Sequence, residues 1–277
     1  MFKFLVTVLG VAAVIYLIFL GYAYIFQSRL VYVPHGELVA FPGDVGLDYH
    51  EVYLNTSDEI RIHGWFVPAK DSREVVLFSH GNAGNISHRL TTLDFLHSLD
   101  MSTFIYDYRG YGKSQGSPDE PGTYIDARAA WEYLVQEKGF DPDDIFVMGR
   151  SLGGAIAAYL GEKERPAGII LESTFTSIPD MGRDLMPFLP VKLLSRYSYD
   201  TLSRLQKFPS PVLIIHSPQD EIVPYRHGRT LYAEAGEPKY FLEIQGDHNS
   251  GYMESRETYL NGLEVFFKKY SRHREGQ

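Results

Sequence analysis

The pentapeptide Gly149-Arg150-Ser151-Leu152-Gly153 constrains this chain more than any other stretch. It follows an apolar run, Ile145-Phe146-Val147-Met148, and precedes a helix-like one, Ala155-Ile156-Ala157-Ala158-Tyr159-Leu160. G-x-S-x-G between a strand and a helix implies a turn so sharp that its serine sits in a strained backbone conformation. Side chains in place of the flanking glycines would collide with the neighbouring strand and helix. The helix N-terminus behind Ser151 aims free N–H groups and partial positive charge at any anion formed there.

Two further residues give the motif weight. Pro211-Val212-Leu213-Ile214-Ile215-His216 reads as a buried strand running into Ser217-Pro218-Gln219-Asp220, so Asp220 lies just past a strand's C-terminal end. Pro224 is suited to open the helix that follows. Residues 239–244 read as the last strand, and Gln245-Gly246-Asp247-His248-Asn249 comes next. Open parallel sheets carry their sites at these carboxyl ends, from where His248 can reach back to Ser151. Ser151, Asp220 and His248 thus stand in the chain order of a nucleophile, an acid and a base.

Each assignment has a rival. Asp220 can cap the helix near Pro224, a role compatible with chemistry. Glu172, after the strand Gly168-Ile169-Ile170-Leu171, is the alternative acid, and Asp247 reads as a turn residue. His80 belongs to another loop and His216 lies inside a strand, while His88, His97 and His227 are expected on solvated helix surfaces.

The loop after Val75-Val76-Leu77-Phe78-Ser79 reads His80-Gly81-Asn82-Ala83-Gly84-Asn85. Acyl transfer builds negative charge on a carbonyl oxygen, so two N–H donors must already point at it. Leu152, after the nucleophile, is expected to supply one and the backbone of Asn82 the other, with Ala83 as the alternative. Phosphate binding is the competing role for such a glycine-rich loop. No G-K-[S/T] follows and the pattern G-x-G-x-x-G is absent, which excludes the common phosphate cradles.

Taken together, His80–Asn85, Asp107-Tyr108-Arg109-Gly110-Tyr111-Gly112-Lys113-Ser114, Gly149–Gly154, the Asp220 loop and Gly246-Asp247-His248-Asn249 resemble the membrane-anchored α/β-hydrolase-domain proteins. That set includes serine aminopeptidase-like and palmitoyl-thioesterase-like relatives. Phe26-Gln27-Ser28-Arg29-Leu30-Val31-Tyr32-Val33-Pro34 is also similar to the family, and the likeness runs from about Arg29 to the last helix. It implies Ser151 as nucleophile, Asp220 as acid and His248 as base. The expected substrate is an acyl ester, a thioester or a lipid-like small molecule. The chain departs from the palmitoyl thioesterases in having no cysteine, since they carry an acylated N-terminal cysteine cluster.

The N-terminus is the second strong signal. From Phe4 to Phe26 no residue is charged, and as a helix this run is long enough to cross a ~30 Å hydrocarbon core. It is longer than the core of a cleaved signal peptide and ends in aromatics suited to a membrane–water interface. Lys3 and the α-amino group flank one side and Arg29 the other, a bias that favours an inside N-terminus and a catalytic domain outside the cytoplasm. The net charge of −9, without basic clusters, argues against nucleic acid and against docking on anionic lipid.

The expected organisation is therefore an anchor over residues 1–28 and a single α/β catalytic domain over 29–277, with a mostly parallel central sheet and helices on both faces. An antiparallel pair, 47–56 and 60–69, opens the domain. Helices are expected at 86–99, 121–138 and 254–269, and a strand at 102–108. Asp107 and Arg109 are expected to form an ion pair beneath the site. A short apolar insert at about 175–208, with methionines and a phenylalanine interrupted by prolines, is expected to cap an open acyl cleft. No metal or organic cofactor is called for. The alternatives to an ester or thioester hydrolase are a serine aminopeptidase for short peptides, needing acids such as Glu172 or Glu221 for a free amino terminus, and a non-catalytic binding protein.

Overall fold

The computed structural model describes residues 1–70 and 72–273, so the last four residues of the expected catalytic segment lie outside the described residues. Eight strands form one sheet: β1 (His50–Asn55), β2 (Arg61–Val67), β3 (Val75–Ser79), β4 (Ser102–Tyr106), β5 (Ile145–Arg150), β6 (Gly168–Glu172), β7 (Val212–His216) and β8 (Lys239–Glu243). Their spatial order is β1-β2-β4-β3-β5-β6-β7-β8. The first two pairings are antiparallel and the other five parallel.

From β3 the chain steps outward to β4 and then returns to the other side of β3 with β5. This reversal opens a crevice at the carboxyl ends of β3 and β5, the place where such sheets hold ligands. The register pairs Ser79 with Gly149, so the loop after β3 begins beside the turn that carries Ser151.

Strand residues alternate between two cores, as a sheet covered on both faces requires. Val75 and Leu77 of β3, with Ile145 and Val147 of β5, face one core; Val76, Phe78, Phe146 and Met148 face the other. Before the sheet come α1 (Phe2–Ile25) and α2 (Gln27–Val31); α3 (Leu90–Ser98), α4 (Glu120–Glu132) and α5 (Leu152–Lys163) follow among the strands. The insert after β6 holds α6 (Ile178–Leu185), α7 (Val191–Leu194) and α8 (Thr201–Leu205), and the chain closes with α9 (Arg226–Glu234), α10 (Gly251–Glu254) and α11 (Arg256–Tyr270). Helices α4, α5, α8 and α9 cover the first face; α3 and α11 cover the second.

The helix expected at 86–99 begins as a 3-10 turn, Ile86–Arg89, and that at 121–138 ends in a π turn, Tyr133–Glu137. Helix α1 is long and apolar enough to cross a membrane, and none of its residues is buried against the domain. The segment after it is built into the fold. The Gln27 side chain donates to the Leu194 carbonyl at 2.6 Å and accepts from the Arg196 N–H at 2.8 Å. Val33–Pro34 pairs in parallel with Ala83–Gly84 of the loop after β3.

Candidate active site

The turn between β5 and α5 holds Ser151 at φ 54°, ψ −121°, a backbone state that non-glycine residues rarely adopt. Hydrogen bonds fix it: Ser151 N–H donates to the Glu172 carbonyl at 2.9 Å, and its own carbonyl accepts from Thr174 Oγ1 at 2.7 Å. The flanking glycines are a packing necessity. A Cβ on Gly149 would stand 2.1 Å from the Gly153 carbonyl oxygen, and one on Gly153 would stand 2.0 Å from that of Ser79. Both obstacles are backbone atoms, which cannot swing away.

The structure brings the three expected side chains together. His248 Nε2 lies 3.2 Å from Ser151 Oγ, and its Nδ1 lies 2.8 Å from Asp220 Oδ2. Since Asp220 accepts at Nδ1, the proton sits on that nitrogen and Nε2 is free to accept from the serine. The second Asp220 oxygen accepts from the N–H groups of Ile222 (3.0 Å) and Val223 (2.7 Å), so the residue also caps its own loop. Burial would raise the Asp220 carboxyl, but bonds from His216, His248 and the Val223 N–H outweigh it and hold the group well below the usual carboxylate range.

Two supporting residues carry no sequence signal. His216 Nε2 sits 2.9 Å from the Val223 carbonyl and 3.3 Å from Asp220 Oδ2, and only a protonated nitrogen suits two acceptors. Glu221 accepts the backbone N–H of His248 at 3.0 Å, which fixes the loop beneath the imidazole. Asp247 serves its turn, accepting from the N–H groups of Asn249 and Ser250. Glu172, the rival acid, binds Arg150 Nε at 2.7 Å and the Tyr259 hydroxyl at 2.8 Å.

Leu152 is the first residue of α5, so its N–H has no acceptor within the helix. Asn82 is held from three directions. Its carbonyl accepts from Val33 N–H (3.2 Å) and the Tyr111 hydroxyl (2.7 Å), while its side-chain amide donates to the Val31 carbonyl (3.1 Å). An added Cβ on Gly81 would lie 3.6 Å from Ser151 Cβ, so this loop abuts Ser151.

The expected Asp107–Arg109 ion pair does not form. Strand β4 ends at Tyr106, and the chain turns the two side chains apart. Arg109 binds Asp58 (2.8 Å) and Asp126 (2.9 Å). Asp107 is fully buried, accepts from Ile86 N–H at 2.9 Å, and lies 3.5 Å from His63 Nδ1 and 3.6 Å from His80 Nε2. Burial pushes its carboxyl up and the His80 imidazole down, to about 3. His227 is another departure: the insert buries it, and it bonds Asp184 at 2.7 Å and Thr176 at 3.0 Å.

Above the site lies a cavity of about 680 Å³. Leu185, Met186, Leu189, Val191 and Leu194 of the insert line one wall, and Ala23, Leu30 and Val31 of the N-terminal segment line another. Ser151, His248, Arg89 and Arg150 are also on its lining, and among the described residues no carboxylate is.

A strained serine at a β5–α5 turn, with a histidine and an aspartate delivered from later strand ends, defines the fold and site plan of an α/β-hydrolase. The family described as "Serine aminopeptidase, S33" matches residues 70–200. The "Alpha/beta hydrolase domain-containing protein WAV2" of Arabidopsis thaliana is 36% identical over 89% of each chain. An "Uncharacterized membrane protein", YNL320W, of Saccharomyces cerevisiae is 35% identical over 82% of this chain and 84% of its own. Among solved structures, the Pyrococcus furiosus esterase Pf2001 is similar in fold, with a TM-score of 0.72, 19% identity, and coverage of 86% of this chain and 98% of its own. The chain belongs to the α/β-hydrolase superfamily, and family and fold together make it a hydrolase.

Proposed function

We propose that this protein is a membrane-anchored serine hydrolase that cleaves an acyl ester or thioester through an acyl-enzyme on Ser151. The observation that carries the reading is the bridging imidazole: His248 bonds Ser151 on one side and Asp220 on the other. Ser151 Oγ attacks the carbonyl carbon while His248 Nε2 takes the hydroxyl proton. Asp220 keeps the imidazole in the needed tautomer and stabilises its protonated form. The N–H groups of Leu152 and Asn82 hold the oxyanion, and loss of one such donor typically costs about 10²–10³ in rate. His248 then returns the proton to the departing alcohol or thiol. Water, deprotonated by the same nitrogen, attacks the acyl-serine and releases the acid.

The lining of the cleft favours this reading over an aminopeptidase. A free amino terminus needs a carboxylate, yet Glu172 is bound by Arg150 and Tyr259, and Glu221 faces the His248 backbone. The apolar wall suits an acyl group instead. The anchor is the N-terminal helix α1, and the yeast relative's name as a membrane protein supports that role.

The test is hydrolysis of p-nitrophenyl acetate alongside fluorophosphonate labelling. Ser151→Ala is expected to lose both by several orders of magnitude while melting like wild type. Full activity in Ser151→Ala would refute the nucleophile, and an unlabelled wild type would return the protein to a binding role.

A further inference from the structure

We infer that the cap formed by α6 and α7 lies in the lipid layer against α1 and that the cleft opens sideways into the bilayer, which makes the substrate a membrane-resident acyl lipid. The substrate class rests on the hydrolase reading above; the seating of the cap does not.

The cap presents apolar side chains outward. Leu185, Phe188 and Leu193 are 55%, 62% and 84% exposed, and residues 185–191, Leu-Met-Pro-Phe-Leu-Pro-Val, carry no charge. Pro187 and Pro190 end α6 and delay α7, so this stretch forms a blunt tip between two short helices. Such a tip facing water is costly, and one facing hydrocarbon is favoured.

The tip touches α1 within its apolar span. The Tyr16 hydroxyl donates to the Phe188 carbonyl at 2.7 Å, and the Phe19 and Phe188 rings are 6.3 Å apart. Phe19 and Tyr16 stand six and nine residues before Ile25, about 9–14 Å back along the axis. A segment resting on that level of a membrane helix is itself at hydrocarbon depth. Lys192 and Arg196 follow the tip, and long cationic side chains reach back to a headgroup layer from such positions. Gln27 ties the far end of the cap, at Leu194 and Arg196, to the point where α1 stops.

The cavity shares these walls. Ala23 and Leu30 line its anchor side, Leu185, Met186 and Leu189 its cap side, and Ser151 faces the same space. An acyl chain sliding between α1 and the cap reaches the nucleophile without crossing water. The chemistry is unchanged: the ester bond breaks, water supplies the hydroxyl, and a fatty acid and an alcohol leave.

The experiment uses the full chain in phosphatidylcholine vesicles, with p-nitrophenyl palmitate dissolved in the bilayer and p-nitrophenyl acetate in the water. The leaving group is the same, so only delivery differs. Phe188→Asp and Leu193→Asp, neither of which lines the cavity, are expected to slow palmitate hydrolysis by about tenfold or more, because a carboxylate is disfavoured at hydrocarbon depth. Acetate hydrolysis stays within about twofold of wild type, as expected for exposed residues away from the chemistry. Independently, Phe188→Trp is expected to show fluorescence quenched by lipids brominated on their acyl chains, beyond the quenching of wild type. Equal rates on palmitate, or no added quenching, overturn the proposal. If wild type hydrolyses neither ester, the hydrolase reading and the lipid substrate fall, while the quenching still decides the seating of the cap. If the aspartate variants lose both activities together, the fold has suffered and the quenching again decides.

Discussion

Arg150 and Glu172 are register partners in β5 and β6, and their side chains meet at 2.7 Å at the strand end that leads into Ser151. Both are buried, and the Tyr259 hydroxyl and the Tyr252 ring, 3.8 Å from the guanidinium carbon, complete the enclosure. Burial alone would lower the arginine's affinity for its proton, but the Glu172 charge outweighs it and raises the pKa. The strand pair therefore ends in a charge clamp at the level where Ser151 turns away.

Breaking that clamp leaves a buried charge without its counter-ion. Glu172→Ala is expected to destabilise the fold by about 3–5 kcal/mol. Replacing both partners with apolar residues, Arg150→Met with Glu172→Leu, is expected to recover most of that stability. Urea unfolding of the three proteins checks this; a Glu172→Ala chain as stable as wild type would show the pair to be dispensable.

Asp220 makes a prediction in pH. Its folded-state pKa lies below the unfolded value, so the ionised group stabilises the fold at every pH above about 4 and the contribution is lost only as pH falls through the folded value. The difference in Tm between wild type and Asp220→Asn is therefore expected to hold constant from pH 8 to about pH 5 and to shrink only in stronger acid. Activity of the variant at neutral pH is expected to fall by about 10⁴, because an amide selects the wrong imidazole tautomer. A gap in Tm that closes near neutrality would mean the carboxylate is not held in this way.

The candidate site was legible because each of its residues stands at a punctuated strand end: Ser151 in G-x-S-x-G, Asp220 before Pro224, His248 after Gly246. Alternation announced the opening antiparallel pair and continuous apolar runs the buried parallel strands, with ends off by up to three residues. Illegible were the partners brought from afar. Arg109 meets Asp58 and Asp126, 51 and 17 residues away, rather than its near neighbour Asp107. His227 looked like a surface residue until α6 folded Asp184 onto it. His216 was a histidine in a strand, and nothing in its local sequence tells that the strand's end aims it at Asp220.

Topology is testable because the chain has no cysteine of its own. Ser57 is exposed in the turn between β1 and β2. With the N-terminus inside, as the Lys3 side suggests, Ser57→Cys is expected to react with a membrane-impermeant maleimide in intact cells expressing the full chain. Reaction only after lysis would place the domain on the cytoplasmic face.

The segment between α1 and the sheet braces the loop after β3. Asn82, the proposed second donor, has its carbonyl bound by Val33 and Tyr111 and its side-chain amide bound to Val31, so three contacts hold the residue in place. Only Val31 and Val33 belong to the segment after α1, and neither lies in the apolar helix itself. Removing residues 1–25 is therefore expected to leave kcat on p-nitrophenyl acetate unchanged, since the brace survives. Tyr111→Phe keeps the ring and deletes one of the two bonds to the Asn82 carbonyl. It is expected to lower kcat by about tenfold, less than the loss of a whole donor, with KM little changed, because the interaction strengthens only as the oxyanion forms. A purely structural tyrosine would instead lower Tm and leave the kcat of the folded enzyme alone. A rise in KM with kcat intact would mean that the loop binds substrate rather than charge.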